Sequence, residues 1–312
     1  MDAESNPCPH VTVDDHIRAC IGGSVVGLLL IFILNARSIS RFLFSRQSSS
    51  TIADQSKKKT KFKNGSEVDQ PKAHYAAAKK EVVIEVPARD YKMNVVDHLI
   101  GGMLVAIMAI NIYTRVTRGV GHWLVQPCHY LTALLIGATY SSSTDARLFW
   151  FYLYAHWQGY FAFFGGDLSW YVNAAELYAF WLQHILMVLV PLYYLAVGRF
   201  NTRHSSFTFF LTVYTFTVVY HSLVLIPVGY FTTTDFDNML CPFPGGEDLV
   251  GIWWREAMGI FSSPFAFLVC YVPGTLAAWF YSARDRRRPT AAATIATATK
   301  KKKNNNNKEK SN

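Results

Sequence analysis

A cysteine and several histidines lie inside apolar stretches of this sequence, where ionisable side chains are costly and indicate a functional site. The cysteine is Cys128, which His129 follows directly, and two further histidines are His184 and His221. A thiol beside an imidazole is suited to nucleophilic acyl chemistry, because the base restores the nucleophilicity that burial suppresses. Pro127 precedes the cysteine, and we expect it to loosen the start of the helix and aim the thiol into a cavity.

The depths of these side chains in a membrane predict that three of them share one layer. Cys128 is five residues into its predicted span and His184 is seven residues into a span of the same direction. At the helical rise per residue, these positions are roughly 8 and 10 Å below one face. His221 is on a span of opposite direction, about 13 Å below that face. The layer lies in the outer half of the bilayer, near the depth of phospholipid ester carbonyls.

Other interpretations of the same residues stay open. A thiol in a membrane helix is often a small packing residue, and a histidine is often satisfied by a neighbouring hydroxyl or carbonyl. A metal site is disfavoured because no Asp or Glu lies at that depth. His129 is a weaker partner than His184, since consecutive helical residues point about 100° apart. Glu176, two turns before His184, either orients that imidazole or is an ordinary interfacial carboxylate.

Composition predicts a membrane protein around these residues. Hydrophobic residues make up 51% of the chain and charged residues only 16%, below the roughly 25% of a soluble domain. The net charge of +9 resides in tails and loops, which favours topology signals over nucleic-acid binding. A span needs about 20 apolar residues. About seven stretches meet or approach this length, at 17–34, 95–113, 123–140, 148–164, 177–197, 207–230 and 257–281.

These stretches predict an all-α fold, a polytopic membrane helical bundle with its N-terminus outside or lumenal and its C-terminus cytosolic. Arginines follow the first, fifth and last spans, whereas the opposite loops carry Asp and Glu. Arg115 and Arg118 do not fit this pattern, and we interpret them as interfacial side chains that snorkel. The acidic segment before the first span excludes a cleavable signal peptide.

The remaining segments divide the chain into five parts. We expect a lumenal tail at 1–16, a first transmembrane helix at 17–36 and a basic disordered cytosolic linker at 37–94. A six-helix membrane catalytic domain follows at 95–282, and a disordered basic tail at 283–312. Lys308 and Lys310 in that tail match the spacing of an endoplasmic reticulum retrieval signal. A glycan at Asn64 would reverse the predicted orientation.

Several short motifs occur in order over about 95–281. They are Pro127-Cys128-His129, Gln183-His184, Tyr220-His221, Asn238-Met239-Leu240-Cys241-Pro242 and Trp254-Arg255. In their order and spacing, these motifs resemble the transmembrane protein 164 family. The resemblance implies an acyltransferase that moves a polyunsaturated acyl chain from phosphatidylcholine to ether-linked phosphatidylethanolamine. It also implies Cys128 as nucleophile and His184 as its partner. Cys241 lies in the matched loop and Cys8 in a tail on the same side, so a disulfide between them is a hypothesis.

The sequence therefore predicts a phospholipid acyltransferase with a donor phospholipid, a lysophospholipid or ether-lipid acceptor and a Cys128 acyl-thioester. His221, His129 and Glu176 are candidate supporting residues, and no cofactor is expected because the acyl group arrives on lipid. A membrane lipid hydrolase that uses the same pair, and a non-enzymatic seven-helix receptor or transporter, are the alternatives. We expect an endoplasmic reticulum or other endomembrane location.

Overall fold

A computed structural model describes the chain at residues 11–59, 91–141, 146–165, 168, 171–200, 206–236, 239–241 and 251–286. These residues form helices and connecting turns, with no strand among them. The α-helices are α1 Val13–Lys59, α2 Val95–Thr117, α3 Pro127–Tyr140, α4 Arg147–Ala155, α5 Trp157–Gly165, α6 Ala174–Val197, α7 Phe207–Tyr220, α8 Ile226–Thr232, α9 Trp254–Ala266 and α10 Val272–Arg286. Short 3-10 helices precede α3 and α9, and π-helical turns join α7 to α8 and α9 to α10.

Five helices in the described part are long and apolar enough to cross a membrane, so the protein is a multi-pass membrane protein. They are Val13–Ala36, Val95–Thr117, Ala174–Val197, Phe207–Thr232 and Trp254–Tyr281. The predicted third and fourth spans are not among them. Pro127 limits α3 at one end, and a break at His156 divides the fourth stretch into α4 and α5. The count of seven and the orientation remain predictions.

The first helix is longer than the sequence analysis predicted. α1 continues to Lys59 and so includes the first part of the predicted disordered linker. No glycine or proline occurs between Leu28 and Lys59 to end the helix. Residues 60–90 of that linker, with Asn64, and residues 287–312 of the C-terminal tail, with Lys308 and Lys310, lie outside the described residues.

The core of the bundle is built around the short helix α4. Its side chains Trp150, Tyr152, Leu153 and Tyr154 are all fully buried. A helix that is apolar on every side is typical of the interior of a large protein or bundle. By contrast, α1 and α2 expose large apolar side chains on their outer surfaces, as expected for helices that face lipid. The helices α3 and α7 pack directly against α4.

Two glycines let α1 approach α7 closely. A Cβ atom at Gly23 would lie 2.3 Å from Oγ of Ser222, and one at Gly27 would lie 2.2 Å from a methyl group of Val219. The two glycines are four residues apart and therefore lie on one face of α1. Small residues at this spacing are typical of close helix packing in membranes.

A buried ion pair ties the start of α2 to the end of α6. Nη1 of Arg199 lies 3.1 Å from Oδ1 of Asp97, and both side chains are buried. Arg199 also donates to the carbonyl of Thr139, at the end of α3. In the charge pattern of the sequence, Arg199 is one of the arginines that follow the fifth span and indicate its cytosolic end. In the structure, Arg199 is buried at the end of α6, and it contacts α2 through Asp97 and α3 through Thr139.

Candidate active site

Cys128 lies in the first turn of α3, just after a break in the chain direction. A 3-10 helix runs from Gly121 to Val125, Gln126 then turns with ψ 144°, and Pro127 is the first residue of α3. Proline is favoured there because the first helical N–H has no intrahelical partner. A helix N-terminus stabilises a negative charge that lies close to it. The side chain of Cys128 is only partly buried.

A chain of amide hydrogen bonds connects Cys128 to α6 and α2. Nε2 of Gln183 donates to the carbonyl oxygen of Cys128 and to Oγ1 of Thr132, each at 2.8 Å. Oε1 of Gln183 accepts from Nδ2 of Asn111, also at 2.8 Å. Gln183 therefore uses both ends of its amide, and one buried side chain on α6 fixes the α3 backbone at the cysteine.

His184, the residue after Gln183, is held in a defined tautomer. Its Nδ1 lies 2.8 Å from the carbonyl oxygen of Phe180, which can only accept, so Nδ1 carries a proton. Nε2 is then the nitrogen that can take a proton. The ring is buried and packs against Phe180 and Phe163, with centroid distances of 4.3 and 6.3 Å.

His221 has the same local arrangement at the end of α7. Its Nδ1 lies 2.7 Å from the carbonyl of Thr217, one turn earlier. The preceding residue, Tyr220, reaches the segment before α3, because its hydroxyl donates to the carbonyl of Val125. The Tyr220 ring also packs at 4.7 Å from the ring of Tyr130. His221 thus begins the π-helical turn beside a residue that contacts the cysteine segment.

His129 is buried next to the cysteine. It lies within electrostatic range of Arg115 and His184. Neither of its ring nitrogens has a hydrogen-bond partner among the described residues. Buried polar groups normally have partners, so an unpartnered imidazole beside a thiol indicates a place for water or a ligand.

Glu176 forms a cluster with Arg115 and Arg118, the two arginines that the sequence predicted to snorkel. Glu176 is buried; its Oε2 lies 2.8 Å from Nη1 of Arg118 and 4.0 Å from Nη1 of Arg115. Asn173 accepts from the Glu176 backbone N–H at 2.9 Å and caps α6. The snorkelling interpretation is wrong for Arg115, whose side chain is only 2% exposed. A buried carboxylate accounts for the arginines that did not fit the charge pattern.

The predicted disulfide involves one described residue. Cys241 is disulfide-bonded, whereas Cys20, Cys128 and Cys270 remain thiols. Cys8 lies outside the described residues. The pairing of Cys8 with Cys241 stays a prediction.

A second thiol and imidazole meet in the core. Sγ of Cys270 lies 3.4 Å from Nδ1 of His156, and both residues are fully buried. Nδ1 of His156 also lies 2.7 Å from the carbonyl of Leu153, so this nitrogen carries a proton. The nitrogen that faces Cys270 therefore cannot accept the thiol proton.

The polar residues that organise the site are mostly uncharged, and the sequence analysis assigned them no role. Asn111, Gln183 and Tyr220 connect the segment around Cys128 to α2, α6 and α7. An amide within a membrane helix is a recognisable signal, since such side chains hydrogen-bond across helices. No group of three or more His, Cys, Asp or Glu side chains suited to a metal ion occurs in the described part of the chain.

The fold and this cluster define a polytopic helical membrane protein with a polar site at the start of a short internal helix. A family model described as the TMEM164 family matches residues 14–287, so the chain belongs to this family. The match confirms the resemblance that the short motifs indicated. No solved structure matches the chain.

Proposed function

We propose that the protein is a membrane phospholipid acyltransferase with Cys128 as nucleophile and His184 as general base. The acyl chain, polyunsaturated by resemblance to the family, moves from a donor such as phosphatidylcholine. The acceptor is a lysophospholipid or the lyso form of an ether-linked phosphatidylethanolamine, because the transfer needs a free hydroxyl. Both substrates are lipids of the bilayer, and no cofactor is required because the donor ester supplies the acyl group.

The observation that carries the proposal is the bond from Gln183 to the carbonyl of Cys128. It joins the backbone at the thiol to the residue next to His184, so the two reactive groups belong to one connected unit. His184 has the required tautomer, because Phe180 holds the protonated Nδ1 and leaves Nε2 as the base. The N-terminal position of Cys128 in α3 supports the thiolate.

The proposed reaction has two steps. Nε2 of His184 takes the thiol proton, the Sγ–carbonyl bond forms, and the bond from the carbonyl carbon to the glycerol oxygen breaks. The lysophospholipid leaves with the proton from His184, and the acyl group remains as a thioester. The acceptor hydroxyl then gives its proton to His184 and attacks the thioester. Sγ leaves as a thiolate and regains the proton.

Cys128 is a better candidate nucleophile than Cys270, the thiol that contacts His156 in the core. Cys270 is fully buried, and the histidine nitrogen beside it already donates to a carbonyl. Cys128 is partly exposed. A lipid ester can reach a partly exposed sulfur without disruption of the core, so the two cysteines make a matched comparison.

The test is the formation of a hydroxylamine-labile acyl group on purified protein from a radiolabelled phospholipid. We expect labelling of wild type and Cys270→Ala, and none of Cys128→Ala. We expect His184→Ala to label at least about 100-fold more slowly, within the usual contribution of a general base. Labelling that persists in Cys128→Ala or is lost only in Cys270→Ala would contradict the proposal.

A second measurement separates transfer from hydrolysis. The label should move to added lysophospholipid or ether lipid acceptor, with little free fatty acid released. If the labelled chain is released only as fatty acid, whatever the acceptor, the protein is a lipid hydrolase. A receptor or transporter would give no thioester at all.

We also propose residence in the endoplasmic reticulum, supported by the spacing of Lys308 and Lys310 in the C-terminal tail. Replacement of both lysines by serine should move a tagged protein to later compartments in fluorescence microscopy. An unchanged distribution would contradict this signal.

A further inference from the structure

The guanidinium of Arg255, at the start of α9, joins three segments at one end of the bundle. Its Nε donates to the carbonyl oxygen of Met239 at 2.7 Å, and its Nη2 donates to that of Leu240 at 3.1 Å. The same Nη2 lies 2.8 Å from Nδ1 of His16, in the first turn of α1. Arg255 therefore holds the N-terminal end of α1 against the segment that contains the disulfide-bonded Cys241.

The chemistry of this contact fixes the protonation state of His16. A guanidinium keeps its charge at physiological pH, and it has hydrogen-bond donors but no acceptor. Nδ1 of His16 must therefore accept the bond, so the imidazole is neutral and its proton is on Nε2. A proton on Nδ1 would remove the acceptor and place a second positive charge against Arg255. Both side chains are buried, so this repulsion is screened less than it is at a surface.

The charged neighbours of His16 on α1 and α9 have other partners. Oδ2 of Asp15, the preceding residue, accepts from the backbone N–H and from the hydroxyl of Thr12. Arg18, two residues after His16, forms an ion pair of 3.0 Å with Glu256 on α9. These two helices therefore supply one cation and two carboxylates besides Arg255, and each of them is held by a contact that does not include the imidazole.

The other two segments packed near His16 supply one carboxylate and one phenol. Asp235 accepts from the backbone N–H groups of Leu240 and Cys241, at 2.7 and 3.3 Å. The ring of Tyr230, on α8, lies 5.6 Å from the His16 imidazole. Within the described residues, no carboxylate forms an ion pair with His16. A protonated His16 would thus contact a cation without a paired anion.

The same end of α1 contacts the π-helical turn that begins at His221. One turn after His16, Sγ of Cys20 donates to the carbonyl oxygen of Ser222 at 2.7 Å. Ser222 is the second residue of that turn, which runs from His221 to Leu225. Turns of this kind within helices frequently occur at functional sites. A displacement of the N-terminal end of α1 would therefore reach the turn that contains His221.

We propose that the contact between His16 and Arg255 is an acid-sensitive latch on the N-terminal end of α1. At neutral pH the neutral imidazole accepts from Arg255, and the latch is closed. In acid, His16 takes up a proton, and the end of α1 separates from Arg255 and from residues 239–241. On the predicted orientation this end of α1 is outside or lumenal, so the latch responds to the pH on that side of the membrane. It does not depend on the proposed acyl transfer.

The direction and size of the effect follow from the proton balance. The closed latch excludes a proton, whereas a released imidazole takes one up below its ordinary pKa of about 6.5. The latch is therefore fully stabilising above that pH, and this stabilisation decreases as the pH falls. Between pH 7 and pH 5, proton uptake should shift the equilibrium about 25-fold towards the released state.

The experiment is hydrogen–deuterium exchange of the full-length protein in detergent, followed by mass spectrometry. Exchange times are scaled for the chemical pH dependence, and the peptide at 13–20 reports the release of α1. Its opening constant in wild type should rise about 25-fold from pH 7 to pH 5. In His16→Asn it should change less than about two-fold, because the amide oxygen can accept from Arg255 but does not titrate. No rise in wild type, or an equal rise in His16→Asn, would overturn the proposal.

A second variant tests the other partner of the latch. Arg255→Gln removes the positive charge and offers an amide oxygen that can accept from a protonated His16. The acid response of the peptide at 13–20 should therefore also be lost in this variant. This keeps the proposal testable if His16→Asn does not fold. A response that persists in Arg255→Gln would contradict the latch.

His122 is the matched control, because it is a histidine with a hydrogen bond to a neighbouring segment. Its Nε2 lies 3.2 Å from Oγ1 of Thr234. A hydroxyl accepts from a protonated imidazole as readily as it donates to a neutral one, so acid leaves this bond in place. His122→Asn should keep the full acid response of the peptide at 13–20. Loss of the response in His122→Asn would overturn its assignment to His16.

Discussion

Replacement of Gln183 by leucine should uncouple Cys128 from its proposed base, His184. Leucine has a similar size but cannot hydrogen-bond, so the change removes the three buried bonds to Cys128, Thr132 and Asn111. Hydrogen bonds between membrane helices contribute about 0.6 kcal/mol on average, and those in soluble proteins about 1 kcal/mol. The three together therefore contribute about 2–3 kcal/mol.

The loss should appear in stability and in reactivity. About 2–3 kcal/mol corresponds to a fall in melting temperature of roughly 3–5 °C for a chain of 312 residues, from an unfolding entropy of about 2.1 cal/mol/K per residue. The carbonyl of Cys128 would also lose the bond that holds the first turn of α3 against α6. We expect the rate of thioester formation per folded molecule to fall by at least about 10-fold, because small displacements of reacting groups are costly.

The assay measures thioester formation on the monodisperse fraction, well below the melting temperature of the variant. Tyr152→Phe is the control, because Tyr152 on α4 donates a buried bond of 2.7 Å to the carbonyl of Met187 on the same helix α6. It should lower stability by about 1 kcal/mol and leave the rate per folded molecule unchanged. A Gln183→Leu protein that reacts at the wild-type rate would refute the reasoning. An equal loss of rate in Tyr152→Phe would also refute it.

Three further predictions concern the scaffold. Gly27→Leu should destabilise the protein by about 1–3 kcal/mol through overpacking against α7. Gly22→Leu should not destabilise it, since a Cβ there meets nothing within 4 Å. Thermal melts in detergent compare the two variants, and equal melting temperatures would contradict the packing argument. Arg199→Leu should lower the free energy of unfolding by about 3–5 kcal/mol, because it leaves the Asp97 carboxylate buried without its partner. Adding Asp97→Asn should recover part of this stability. If the same melts show no recovery, the ion pair is not the cause of the loss. Cys8→Ser should change mobility in non-reducing electrophoresis relative to wild type, and identical mobility would contradict the predicted disulfide.

Hydropathy predicted the long helices well because their signal is local. The stretch at 207–230 corresponds to a described helix at Phe207–Thr232, and 177–197 lies within Ala174–Val197. The stretches at 123–140 and 148–164 gave shorter helices. Short apolar stretches of this kind are equally compatible with buried core helices. Whether such a stretch spans the membrane or forms a short core helix depends on tertiary packing around Trp150 and its neighbours, and no local sequence pattern predicts that packing.

The sequence predicted the depth of the site residues in the membrane, but not which side chains contact each other. Depth along a helix follows from residue counting, and it brought Cys128, His184 and His221 to a similar level. The rotation of each helix about its axis sets which side chains meet, and packing of whole faces determines it. Gln183 and Tyr220, which precede the predicted histidines His184 and His221, therefore make the contacts to the segment around Cys128.

The pairs Gln183-His184 and Tyr220-His221 have the same local arrangement. In each, the first residue is polar and bonds a backbone carbonyl in the segment around Cys128, and the second is a histidine. Both imidazoles bond through Nδ1 to the carbonyl one turn earlier on their own helix. Consecutive helical residues point about 100° apart, so a first residue fixed on the cysteine segment also fixes the direction of the second. Gln183 on α6 and Tyr220 on α7 therefore each set the direction of the imidazole that follows, His184 or His221, relative to the segment that carries the thiol. For the proposed reaction we therefore expect the amide and the phenol to matter as much as the histidines.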